Sequence, residues 1–68
     1  MNIHSIETKV QEATEWKHES WTTPDGVLHI GEVHVGTDGE WIEVETDGAH
    51  ESFTNVDAAV AWIAKQVA

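Results

Sequence analysis

Thirteen carboxylates, five histidines and four tryptophans are the side chains of this chain with chemistry to offer. Imidazole is a common metal ligand, which makes His4, His18, His29, His34 and His50 the side chains to weigh for metal binding. His29, His34 and His50, beside Glu32, Glu43 or Glu45, would make an imidazole–carboxylate set of the kind zinc accepts. Their spacing matches no ligand pattern, and no two stand one helical turn apart, so neither a metal site nor a cofactor is expected. Paired carboxylates suit general acid–base work, but thirteen of them in 68 residues single out no pair. Ser5, Ser20, Ser52 and the threonines lie in no nucleophile context. Gly36 and Gly39 lead into a strand, whereas a phosphate-cradling loop opens a helix. A non-enzymatic protein with no catalytic residue is expected.

Charge is the stronger signal. The thirteen acids face three lysines and no arginine, which leaves a formal charge of −10. A compact chain of this length is about 28 Å across. Duplex DNA of that length carries roughly sixteen phosphate charges, so the two charge densities agree within a factor of two. Net charge is an argument about partners more than about fold. Direct nucleic-acid binding is excluded, because it needs clustered basic side chains and Lys9, Lys17 and Lys65 cannot outweigh the acids. The expected partner is a basic, DNA-binding protein or complex.

The length allows one domain, residues 1–68. The longest apolar run, Ala58 to Ala64, is far short of the roughly 18 residues of a membrane-spanning helix. No basic stretch followed by an apolar one opens the chain, so no signal peptide is read. The absence of cysteine leaves no disulfide framework or thiolate metal site. A cytoplasmic monomer is the expectation. Acidic chains of low hydrophobicity are often disordered, but here 40% of residues are hydrophobic and the acids never run beyond two together. The chain is expected to fold.

Periodicity supplies the elements. Ile3, Ile6, Val10 and Ala13 recur at steps of three and four and predict a helix from Asn2 to about Lys17. Thr23-Pro24-Asp25-Gly26 is a turn, with proline presetting φ and glycine accepting a positive one. It joins a short strand near Ser20–Thr23 to a longer one at Val27–Val35. In that longer run Leu28 and Ile30 share one parity, Val33 and Val35 the other. A bulge at Gly31-Glu32 would reconcile them and leave His29 and His34 on the outer face. Gly36-Thr37-Asp38-Gly39 reads as the next turn. Glu40–Thr46 alternates, with Ile42 and Val44 inward and Trp41, Glu43 and Glu45 outward. Asp47-Gly48 is a two-residue hairpin turn into Ala49–Thr54. Thr54 and Asn55 are N-caps for a last helix whose Val56, Ala59, Val60, Ile63 and Val67 share a face. The expected fold is a two-layer α+β domain, with both helices on one face of a three- or four-stranded antiparallel meander.

These elements arrange the acids. Glu12, Glu15 and Glu19 would form a row on the outer side of the first helix. Glu43, Glu45 and Asp47, about 6.7 Å apart, would form another on a strand. With Glu32 and Glu40 they make the candidate partner-binding patch. Trp41 stands among outward acids and is the candidate aromatic anchor, since tryptophan dominates many interface energies. Trp16, Trp21 and Trp62 are expected at the core or its edge.

A short, cysteine-free, strongly acidic α+β chain resembles the inhibitors that phages direct against host nucleases, the anti-restriction and anti-CRISPR proteins. Among these it is most similar to type I-C anti-CRISPR proteins, in size, charge and element order over the whole chain. The resemblance implies a protein that occupies the basic DNA-binding surface of a CRISPR surveillance complex and blocks entry of the target duplex. The alternative expectation is a small structural or assembly module, from a virion or a halophile, whose acidity serves solubility alone.

Overall fold

A computed structural model describes residues 2–67. Helix α1 (Ile3–Ala13) is followed by five strands, β1 (Ser20–Thr22), β2 (Leu28–Ile30), β3 (Val33–Asp38), β4 (Trp41–Thr46) and β5 (Ala49–Phe53), and then by helix α2 (Val56–Val67). The strands form one antiparallel sheet in sequence order, a meander of one more strand than the upper expectation. Both helices pack on the same face of it, giving the expected two-layer α+β fold within 29 × 23 × 21 Å.

The core lies between the layers. Ile6 and Val10 of α1 and Ala59 and Ile63 of α2 meet Leu28, Ile30, Val33, Val35, Ile42 and Val44 of the sheet. Strand parity explains the set, because alternate side chains point to one face and a helix covers that face only. Trp62 and Phe53 close the β5 side with tilted rings 6.3 Å apart. Asn2 caps α1 by accepting from the His4 amide, and Asn55 caps α2 by accepting from the Ala58 amide.

The fifth strand comes from the long run expected between Val27 and Val35. Ile30 pairs with Val33 across Gly31-Glu32, so the chain reverses there and no bulge is needed. A two-residue hairpin loop and a bulge both shift side-chain parity, so the alternation alone fits either. Gly31 takes φ +58 at the first loop position, as a type II′ turn requires. A Cβ there would stand 3.1 Å from Val67 Cγ1, so α2 also needs the glycine. The next turn is shifted as well. Gly36, Thr37 and Asp38 belong to β3 and pair with Glu43, Ile42 and Trp41, which leaves Gly39-Glu40 as the loop.

The first helix ends four residues before the expected Lys17. Thr14 is its C-cap, and Glu15 and Trp16 follow at φ 61 and 58. Left-handed conformations cost non-glycine residues about 1–2 kcal/mol each. No glycine or proline marks the stop. What favours it is Gln11, which is 4% exposed and donates from Nε2 to the His18 carbonyl and to Ser20 Oγ. Ser20 in turn donates to Glu7. The loop is thereby drawn back along α1, and Gln11, not the exposed Ala13, joins Ile6 and Val10 on the buried face.

Candidate functional site: the open sheet face

Helices cover one face of the sheet, and the other is open. The register lines its side chains into rows. Trp21 pairs with His29, His29 with His34, His34 with Glu45 and Glu45 with His50, so one row crosses all five strands. At about 4.8 Å per strand it spans roughly 19 Å. Trp21 and His29 stack in parallel at 4.0 Å, and His29 and His34 meet at 4.3 Å with planes tilted by 55°. The next row runs Gly36, Glu43, Ser52, and beyond it Asp38 pairs with Trp41.

Two hollows open among these rows. One, of about 420 Å³, lies at the end of the sheet and is lined by Glu32, His34, Glu45 and the Thr46–Gly48 turn. The other, of about 370 Å³, lies over Gly36 between Val27, His34, Glu43, Glu45 and His50. Three of the expected patch residues thus converge on the first hollow: Glu32, Glu45 and Asp47. Asp47 reaches it from the β4–β5 turn, because β4 ends at Thr46 and the row of three along one strand stops at Glu45. Glu43 faces the second hollow. Glu40 stands at the opposite end, in the Gly39-Glu40 turn.

The helical row of Glu12, Glu15 and Glu19 does not form. Its geometry needed a helix through Glu19, and α1 stops at Ala13. Glu12 is exposed on the helical layer, away from the open face. Glu15 sits in the left-handed loop. Glu19 lies beside the β2–β3 turn, where its carbonyl accepts from the Gly31 amide.

The larger asymmetry is in the cations. Residues 20–55, the sheet and its turns, hold eight carboxylates and no lysine; the remaining residues hold five carboxylates and all three lysines. Lys9 approaches Asp57 at 4.0 Å, within the helical layer. The open face therefore carries its carboxylates with no lysine to neutralise them. Among the described residues, no group of three or more histidines and carboxylates is gathered as a metal ion requires. One carboxyl has a displaced titration: the hydrogen bond from Thr23, helped by a backbone amide, holds Asp25 below its ordinary 3.8.

Trp41 is half exposed and points outward, as its parity requires. Trp16 and Trp21, expected at the core edge, are also exposed, by 65% and 57%. For Trp21 the local alternation misleads, since polar Ser20 and Thr22 at the opposite parity suggest an inward tryptophan and its pairing with His29 turns it outward; for Trp16 there was no signal, because its exposure follows from the early helix stop. The residues missed from the face are Trp21 and Gly36; His29, His34 and His50 are expected outward, and cross-strand register aligns them with Trp21 and Glu45.

No protein-family model matches the chain, and comparisons with characterised proteins and with solved structures also find no match. Among the described residues, no helix is long and apolar enough to cross a membrane.

Proposed function

We propose that this chain is a non-enzymatic acidic inhibitor that presents its open sheet face to the cationic DNA-binding surface of a nuclease assembly. A CRISPR surveillance complex is the favoured example. The observation that carries the reading is the confinement of all three lysines to the helical layer and its flanking loop, which leaves the carboxylates of the sheet side without a lysine among them. Glu43 and Glu45, two residues apart on β4, are separated by about 6.7 Å. That equals roughly two axial steps of phosphate on one DNA strand. Complementary fields of this kind accelerate encounter and exclude like-charged competitors. Trp41 and Trp21 supply apolar contact at the two sides of the face. Such a partner places the site of action in the cytoplasm, that of the host for a phage-encoded chain.

The test is a gel-shift competition. The chain should prevent a purified surveillance complex, or a comparable basic assembly, from binding its target duplex near one-to-one stoichiometry. Excess duplex should displace it. Rising salt should weaken capture, because exposed charges are screened over about 8 Å at physiological ionic strength. Failure of every such assembly to capture the chain at low salt would refute the proposal.

The second reading, acidity for solubility in a structural module, draws on Glu12, Glu15 and Asp57, which are exposed on the opposite layer. It predicts no capture by basic assemblies. A halophilic version further predicts unfolding in dilute buffer.

A further inference from the structure

The open face is not a uniform sheet of charge. At Gly36 the second row loses a side chain in mid-strand, and the surface sinks into the hollow of about 370 Å³. Gly36 has no conformational need to be glycine: its φ is not positive, and a Cβ there would have nothing within 4 Å. Glycine inside a strand weakens it and often marks close approach by another group. What surrounds the gap is specific in chemistry. Glu43 and Glu45 offer carboxylates, His34 and His50 offer flat imidazoles, and Val27 offers an apolar wall.

We propose that this part of the sheet face docks an arginine side chain of the basic partner, seated over Gly36. The inference rests on the reading of the face as a basic-partner surface and specifies which cation it prefers. Guanidinium is planar, stacks on aromatic faces and bonds carboxylates bidentately, whereas the lysine ammonium is a strongly hydrated point charge. The hollow supplies ring faces and carboxylates side by side, and Val27 matches the methylene stem of a long basic side chain. The absence of lysine from the face leaves the incoming cation without an internal competitor.

The experiment titrates the full chain with hexa-arginine and hexa-lysine at equal ionic strength, followed by tryptophan fluorescence and amide chemical shifts. Hexa-arginine should bind at least about fivefold more tightly, with its largest shifts around Gly36, His34 and Glu43. A Gly36→Val variant should keep the fold, judged by circular dichroism and melting, and lower hexa-arginine affinity to the hexa-lysine level. Equal affinities of the two peptides for the parent chain would overturn the arginine seat while leaving the acidic-face reading intact. So would an arginine preference that survives in the Gly36→Val variant, or shifts centred on the helical layer. Binding of neither peptide would overturn the seat and the acidic-face reading together.

Discussion

The indole of Trp21 lies flat on the imidazole of His29, ring centres 4.0 Å apart and planes parallel, across the β1–β2 pair at the edge of the sheet. A three-residue edge strand has few ladder bonds to hold it, so this contact joins the Ser20 side-chain hydrogen bonds in keeping β1 in register. Aromatic pairs contribute about 0.5–1.5 kcal/mol beyond area burial. Trp21→Ala should therefore destabilise the domain by about 1 kcal/mol in urea unfolding, and Trp21→Phe should recover most of the loss.

Two glycines should answer substitution in opposite ways. Gly31→Ala places a side chain at φ +58 and 3.1 Å from Val67 Cγ1. Left-handed strain alone costs about 1–2 kcal/mol, a fall in Tm of roughly 4–16 °C for a domain of this size. Gly36→Val adds a strand-forming side chain in open space. Its Tm should hold or rise. A comparison of the two melting curves decides the point.

Gln11→Ala should be among the more damaging changes away from the apolar core. It removes the donor to the His18 carbonyl and to Ser20 Oγ at a site 4% exposed. Leaving buried polar groups unpaired costs about 1–3 kcal/mol. Amide exchange should accelerate most in residues 14–20, because Gln11 is what ties that loop to α1.

The Thr23–Asp25 hydrogen bond lowers the Asp25 titration, so the folded state holds the ionised form more firmly than the unfolded state does. The stabilisation it provides is fully present above the ordinary value of 3.8 and is lost as pH falls through the lower folded value. Thr23→Val should cost more stability at pH 6 than at low pH, on top of the hydrogen bond from the Val27 amide to Thr23 Oγ1 that is lost at both. Urea titrations at the two pH values measure the difference.

Charge reversal separates the two layers. Glu43→Lys with Glu45→Lys should slow association with a basic DNA-binding assembly by about tenfold or more at low salt, through lost steering. Lys65→Glu, on α2 in the other layer, should leave the rate nearly unchanged. Equal losses would mean that no localised face is used. Stopped-flow rates at two salt concentrations give the answer.

Much of the fold is legible because strand parity and helical periodicity are local. Ile42 and Val44 inward, Trp41, Glu43 and Glu45 outward, and the last helix with its Asn55 cap all follow from spacing of two or of three and four. The Gly31-Glu32 step resisted reading because a reversal and a bulge move parity alike, and Gly-Glu is a weaker turn signal than Asn-Gly. The candidate face was legible only in its β4 members. His29, His34 and His50 could be assigned outward, but their alignment with Trp21 and Glu45 depends on register between strands.

Composition and pattern alone determined the element types, the apolar residues that form most of the core and the excess of negative charge. Those properties depend on each residue and its near neighbours. Tertiary structure decided where α1 stops, because a side chain buried seven to nine positions upstream holds the returning loop. It also decided that the three lysines share one layer while most of the acids edge or line the other, since which segments form a layer depends on how distant elements pack.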